Sequence, residues 1–557
     1  MILGIDVGGT HTDAVLIDRG GVRKKAKVAT DAGNLVLSLL NVTGALLGDE
    51  NPEHLERVVL STTISTNAIM QRKTERVGMV LASGPGVNPS PLKFSEDVHF
   101  ISGYVNHRGM EVAKIDANEV LQVKKSFQSR GIETAGIVGK FSTRNPDQEC
   151  TVRDLLQDGL ARVSLGHQMS GHLNFPRRVS TTYLNAAISG LYGRFVREVL
   201  DFVRHRSISV PIYILKADGG TFDIARSLDF PVQTILSGPA ASIMGILATS
   251  ACREDAIALD IGGTTTDIAI FADGVPLLEA LGVRIEEHKT LIRGLRTTSI
   301  GLGGDSCVRV ENGALIIGPE REGPAAAFGG PCPTPTDAMI VLGLTGIGDR
   351  EKAAGAIAQI AGSLHCPLEE AAERIFDQAC RTIVSRIEKV IGEINNQPVY
   401  TIHEMLEGKK LSPKTLHVVG GPAEPMAPRL GRLLNCPVFI PEHAEVANAI
   451  GAALARTTAE LTILADTERK MLTIAEDGYR MDIPSRFGRE DAIRIGREKL
   501  REKTVRMGAA EEDIEMEVIE DQEFNMVKEF YTTGKNIRVK LQVKPGLISG
   551  YGAGVSR

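Results

Sequence analysis

Residues 259–271 read LDIGGTTTDIAIF, and residues 3–15, LGIDVGGTHTDAV, repeat that pattern near the start of the chain. Asp6 matches Asp260, Gly8 and Gly9 match Gly262 and Gly263, Thr10 and Thr12 match Thr264 and Thr266, and Asp13 matches Asp267. Each copy is an apolar run ending in Asp, a Gly-Gly turn flanked by hydroxyls, and a second apolar run, which predicts a β-hairpin with a phosphate-sized turn. The glycines let backbone N–H groups approach an anion, because no Cβ stands in the way. Threonine hydroxyls can donate to phosphate oxygens, and a strand-end Asp can hold hydrated Mg²⁺. One copy reads as an ordinary Gly-Gly hairpin; the duplication argues for a paired site. A dinucleotide fingerprint or a P-loop needs a helix directly after its glycines. Here strand-like AVLID and IAIF follow, and no GK[ST] occurs after either glycine pair.

DVGGTHTD and DIGGTTTD resemble the two phosphate loops of the actin–Hsp70–sugar-kinase superfamily. More narrowly, the chain resembles the hydantoinase/oxoprolinase family in its A-type subunit. The resemblance implies an α/β fold with two RNase-H-like (actin/Hsp70-type) half-domains around an ATP cleft. Residues 1–250 would form the first half, 251–456 the second with the adenosine-binding turn, and 457–557 a small C-terminal α+β appendage. It covers residues 1–455 well and the tail poorly, and His11 stands where the family's loop more often has an aromatic residue.

Length and composition agree with several domains. At 557 residues the chain exceeds one ordinary core. An apolar content of 43% with 24% charged residues is that of a globular protein. The net charge of −6 gives no reason to expect nucleic acid or a membrane surface as partner. No apolar run approaches the ~20 residues of a membrane helix, and MILGIDVGG enters a strand without a leader-like segment. Seven scattered cysteines without CxxC argue for a reducing compartment, the cytoplasm, and against disulfides or zinc.

Between the hairpins, residues 57–83 read as strand, Ser/Thr-capped helix and strand. Ser61-Thr62-Thr63 and Thr66-Asn67-Ala68 fit a threonine-rich family segment, so Thr62, Thr63 and Asn67 are either cap residues or substrate-site residues. Residues 178–205 carry apolar side chains at helical spacing, a long core helix. His167 and His172 are five apart, wrong for one helix face, and read as loop or solvent histidines. IYILKADGGTFDI (212–224) repeats the strand-to-Gly-Gly pattern in weaker form, and SGPAAS (237–242) is a capped helix start or a nucleotide contact. Asp337, after TPT, is a helix-capping carboxylate or a site residue. LHVVGGPAEP (416–425) is a strand-to-helix turn; by resemblance, Gly420 and Gly421 take the adenosine. The tail reads as charge-dense α+β, with two strands joined at TTGKN, and a chain cut after about Arg456 is expected to keep a foldable core.

The resemblance implies ATP and Mg²⁺ as cofactors. Gly8, Gly9, Thr10, Thr12, Gly262, Gly263, Thr264 and Thr266 would bind phosphates; Asp6 and Asp260 would be catalytic and hold Mg²⁺ through water. The family reaction is ATP-driven activation of a carbonyl. A cyclic amide, such as a hydantoin or 5-oxoproline, is phosphorylated on oxygen and then opened. The alternatives are the ketone-activating subunit of an ATP-dependent carboxylase and a non-metabolic Hsp70-like or activator ATPase. Expected partners are a small carbonyl substrate and a B-type subunit within an oligomer, with neither nucleic acid nor membrane.

Overall fold

The computed structural model describes residues 1–9, 11–31, 35–47, 54–250, 252–279, 281–396 and 410–551. Both repeats form the expected hairpins. Ile2–Val7 pairs antiparallel with His11–Asp18, setting Asp6 opposite Asp13. Ala256–Ile261 pairs antiparallel with Thr266–Ala272, setting Asp260 opposite Asp267. Each hairpin then gains a parallel neighbour on its first strand: Arg57–Thr62 beside Ile2–Val7, and Thr415–Val419 beside Ala256–Ile261.

The first sheet runs Thr221–Asp223, Ile212–Leu215, Arg57–Thr62, Ile2–Val7, His11–Asp18 and Gly21–Ala29. The second runs Val275–Pro276, Thr266–Ala272, Ala256–Ile261, Thr415–Val419 and Val438–Phe439, with Thr297–Ile300 also pairing to Thr266–Ala272. Two short-side-chain helices, Ser237–Thr249 and Ala447–Leu454, fill the space between these sheets in one shared apolar core. Their contact is close because glycines meet backbone. A Cβ on Gly451 would lie 2.1 Å from the Ala241 carbonyl oxygen, and one on Gly245 would lie 2.2 Å from that of Ala447. Gly4 does the same for strand against helix, 2.3 Å from the Ala449 carbonyl. Larger residues at these crossings would push the two sheets apart.

A four-stranded parallel sheet, Arg162–Leu165, Thr134–Gly139, Val77–Ala82 and Val98–Phe100, stands beside the first. The long helix spans Phe175–His205 and starts three residues before the apolar periodicity, where the Asn174 side chain accepts from the Arg177 N–H. It packs Phe175 and Val179 on this sheet and Tyr192, Phe195 and Val199 on the first. His167 is not a solvent histidine. It is buried, and its Nδ1 lies 2.6 Å from Glu149, a buried carboxylate that also accepts from the Gly139 and His167 N–H groups. His172 lies against Arg538 and Lys540 of the tail.

The tail is an antiparallel five-stranded sheet, Tyr479–Asp482, Met471–Ile474, Glu460–Asp466, Tyr531–Val543 and Met516–Lys528, backed by the helix Arg489–Arg506. Its long hairpin turns at Glu529-Phe530, not at TTGKN. Glu529 takes a φ of +57°, and residues 532–536 continue the strand past a bulge at Met526/Val527. The tail is stitched into the first sheet, where Thr457 bridges Thr221 and Tyr213 Oη donates to the Gly508 carbonyl at 2.8 Å, and to the end of the Ala447–Leu454 helix, where Ala455 bridges Leu547. Cys307 and Cys332 form a disulfide, contrary to the reading of the cysteines as reduced. Their Cα atoms are 5.9 Å apart because strand Val308–Glu311 and the segment before helix Pro335–Val341 are joined by the Val308 N–H to Pro333 carbonyl bond. Among the described residues no helix is long and apolar enough to cross a membrane.

Candidate active site

The strands Ile2–Val7 and Ala256–Ile261 carry Asp6 and Asp260 one residue from their ends, and both deliver these carboxylates to the N-terminus of the Ala447–Leu454 helix. Asn448 Nδ2 lies 3.4 Å from Oδ2 of each. Ser242, on the other central helix, donates to Asp260 at 2.5 Å. Asp13 and Asp267, the second aspartates of the repeats, complete a four-carboxylate cluster. Asp13 is held by Lys27 at 3.0 Å. Burial is the main reason the Asp6 carboxyl is raised to about 6, with Asp13 and Asp260 adding repulsion. Burial and then the Asp260 charge raise Asp267 to about 7. Burial also raises Asp13. One oxygen each of Asp6 and Asp267 is buried without a hydrogen-bond partner. Orphaned hard oxygens in a crowded anionic cluster are the donor set that Mg²⁺ takes, so the residues fit that cation.

The turns are built as the glycines require. Gly8 N–H donates to the His11 carbonyl, and a Cβ there would meet that oxygen at 2.8 Å. Gly262 N–H donates to the Thr265 carbonyl in the equivalent way. Thr264 is exposed at its turn, whereas Thr10 lies outside the described residues. Thr12 and Thr266 are both buried. The Thr12 hydroxyl pairs with that of Thr30, which donates to the Gly8 carbonyl, and the Thr266 hydroxyl donates to the Leu302 carbonyl. They brace the turns from behind.

Thr63 reaches the Val7 carbonyl through its N–H at 3.3 Å, and Asn67 Nδ2 donates to the Thr63 hydroxyl at 3.2 Å. Gly9 opens toward this group, since a Cβ on it would lie 3.8 Å from Asn67 Nδ2. Thr62 is buried, and its carbonyl accepts from Ser237 Oγ, so SGPAAS is docked behind the first turn. That helix starts at Ser237 itself, after Leu236 in the left-handed region.

The second turn is clamped by a loop that the sequence did not mark as chemical. Gly304 and Asp305 N–H groups donate to the Gly262 and Gly263 carbonyls, and Thr336 donates to the Gly304 carbonyl. Asp305 pairs with Arg321 at 3.2 Å. Asp337 sits behind this loop, its oxygens accepting from the Ala326, Ala327 and Thr334 N–H groups in a capping box. Its role is to cap. Gly420 has φ +98°, and a Cβ there would lie 2.7 Å from Asp260 Oδ1, whereas one on Gly421 would meet nothing within 4 Å. The turn therefore packs tightly on the second aspartate at Gly420 and is open at Gly421.

Residues 178–461 match the sequence profile of the hydantoinase/oxoprolinase family, and residues 2–160 match that of its N-terminal region. The chain belongs to the hydantoinase/oxoprolinase family. Within it, the chain is similar to the acetophenone carboxylase gamma subunit of Aromatoleum aromaticum, 25% identical over 388 residues, covering 61% of this chain and 52% of that one. It is also similar to caprolactamase subunit alpha of Pseudomonas jessenii, 25% identical over 445 residues, covering 71% of this chain and 63% of that one. The matched parts thus span between half and two thirds of these relatives. The crystal structure of ATP-dependent caprolactamase from P. jessenii superposes over 99% of this chain and 88% of that one, with a TM-score of 0.74 at 20% identity. The family fold is therefore a mixed α/β architecture shared with that enzyme.

Asn448, Asp305 and Arg321 were not legible as site residues, whereas Ser242 closes SGPAAS, the segment read as a capped helix start or a nucleotide contact. Asp13 and Asp267 were aligned in the repeat but not nominated, because a strand-interior aspartate opposite another gave no separate reason to do so.

Proposed function

We propose that the chain is the ATP-using component of a cyclic amide hydrolase, and that Asp6 and Asp260 act on one Mg·ATP from two RNase-H-like halves, residues 1–250 and 251–456. The observation that carries this reading is the single Asn448 amide between the two equivalent aspartates. Phosphoryl transfer asks a protein for positioning and charge neutralisation more than for covalent chemistry. Gly9, Thr10, Gly263 and Thr264 would offer donors to the phosphates, Gly8 and Gly262 would shape the turns that present them, and the Gly420-Gly421 turn would take the adenosine. Mg²⁺, when bound by Asp6 and Asp260 through water, supplies the positive charge that the cluster lacks. Asn448 and Ser242 hold the aspartates in place, and the clamp loop keeps the second turn rigid. Thr63 and Asn67, beside Gly9, would border the acceptor.

The acceptor would be an amide oxygen, a poor leaving group until phosphate is attached. The γ-phosphoryl passes to that oxygen and ADP leaves. Two waters complete the balance, one opening the C–N bond and one carrying the phosphoryl group off as phosphate. A B-type subunit within an oligomer would complete the second stage. The similarity to an acetophenone carboxylase subunit supports a second reading, in which a ketone oxygen is activated for carboxylation. ADP release measured with a panel of cyclic amides and small ketones, with and without bicarbonate and co-purifying subunits, separates them. Amide-stimulated, bicarbonate-independent release supports the first. Bicarbonate-dependent release with ketones supports the second, and release that answers only to a protein client defeats both.

A further inference from the structure

The structure holds a second space, lined by other residues than the aspartate cluster. A cavity of about 720 Å³ lies where the weaker Gly-Gly turn, Lys216-Ala217-Asp218-Gly219-Gly220, meets the tail sheet. That volume is typical of small-molecule sites. Its place in the fold is informative. Ile214 stands opposite Leu60, which stands opposite Ile5, so Lys216 leaves the sheet level with Val7, at the same carboxyl edge as the first phosphate turn. Two strand spacings, roughly 10 Å, separate them. Open α/β sheets bind ligands outside this edge.

The wall is charged in a way a packed interface would avoid. Lys216 and Asp218 are buried, and Asp218 is shared between Lys216 and Arg293, each at 3.4 Å. Asp218 also accepts from Thr458 of the tail, and Lys216 donates to the Thr458 carbonyl. Glu460 and Glu476 line the same space; Glu476 accepts from the Gly171 N–H and Glu460 pairs with Lys540. Burying such ions costs several kcal/mol each, which hydrophobic residues of similar size would avoid. Lys216 and Arg293 stand against Asp218 on one side, and the tail brings Glu460 and Glu476 beside the ion pairs Lys503–Asp477 and Lys499–Glu502, so the cavity carries both signs of charge.

We propose that this cavity binds a small amino-acid zwitterion, its carboxylate toward Lys216 and Arg293 and its ammonium toward Glu460 and Glu476. This rests on the reading above, because opening a cyclic amide yields a molecule with one amine and one carboxylate. The cavity would then be the product side of the same active edge.

Calorimetric titration of the full chain without nucleotide tests it, using L-glutamate, 4-aminobutanoate and 6-aminohexanoate as probes, with hexanoate and hexylamine as controls. At least one zwitterion should bind, and both single-charge controls should bind at least ~10-fold more weakly. Lys216→Met and Glu476→Gln should each weaken the zwitterion by roughly 10–100-fold while leaving Mg·ATP binding unchanged. Should Lys216→Met not fold, Glu476→Gln carries the test alone. No binding of any zwitterion, equal binding of the controls, or variants that bind like the parent overturn the proposal. Zwitterion binding in a chain that does not bind Mg·ATP would instead defeat the nucleotide reading and leave this site standing.

Discussion

Asp6 and Asp260, 254 positions apart in sequence, are bridged by one side-chain amide, that of Asn448, at 3.4 Å from each. Their equivalence in the repeat thus becomes equivalence in space, across the seam between two sheets. If both serve phosphoryl transfer, Asp6→Asn and Asp260→Asn should each lower ATP turnover by roughly 10²–10³-fold, as removal of a preorganised electrostatic group does. Neither should melt below the parent without nucleotide, since each substitution removes a charge from a repulsive buried cluster. Turnover assays and thermal melts decide; full turnover in either variant would make that hairpin structural.

Asn448 itself should matter through the pair it spans. Asn448→Ala removes the shared donor and is expected to lower turnover by about tenfold. Asn448→Asp adds a carboxylate to the cluster, so it should do more damage than Ala and demand more Mg²⁺ for half-maximal rate. Equal behaviour of Ala and Asp variants in a Mg²⁺ titration would mean that the amide is only packing.

The buried carboxylates set a pH dependence whose sign can be worked out. Asp6 is raised from 3.8 to about 6 and Asp267 from 3.8 to about 7, both chiefly by burial. Between the unfolded and folded values the folded chain holds more protons, so stability is full below the lower value and falls as pH rises through the window. Asp267→Asn should therefore melt above the parent at neutral pH by about 1–3 °C without nucleotide, and the gap should close toward about pH 4. A gap that is constant with pH in paired melting scans would show that Asp267 does not titrate in this range.

The hairpins, their parallel partners and the long helix could be read from the sequence because each rests on a local pattern: alternation, glycine turns, or helical spacing. What could not be read depends on contacts between distant segments. Asn448 looks like any polar residue at a helix start until the Ala447–Leu454 helix is laid against both hairpins. His167 looks solvent-exposed until Glu149 is brought beneath it. The TTGKN turn was misplaced because a turn-forming composition inside a bulged strand is not distinguishable from a turn by composition alone.

The tail is more than an appendage in its contacts. Cutting after Arg456 would remove Thr457 and Thr458, which pair with Thr221 and Asp218, and would take the Thr458 carbonyl from Lys216 and the Gly508 carbonyl from Tyr213. A chain ending there is expected to lose cooperative unfolding, against the composition-based expectation of a separable core. Circular dichroism melts of the truncated chain check this; a sharp transition with retained Mg·ATP binding would restore the boundary.

The disulfide gives the last test, because it ties the clamp loop to the segment behind it. Cys307 follows Asp305 by two residues and Cys332 precedes Thr334 by two, so the bond closes the loop that carries Arg321. With a sequence separation of 25, such a cross-link contributes on the order of 3 kcal/mol. Reductant should therefore lower the melting temperature of the parent and weaken nucleotide binding, since the Gly304 and Asp305 N–H groups hold the second turn. Cys307→Ser with Cys332→Ser should behave like the reduced parent and ignore reductant. Thiol titration of the unfolded, unreduced parent supplies the count: five thiols if the bond is present, from Cys150, Cys252, Cys366, Cys380 and Cys436. Seven thiols, or a parent whose melt and nucleotide affinity do not respond to reductant, would remove the bond from any account of the site.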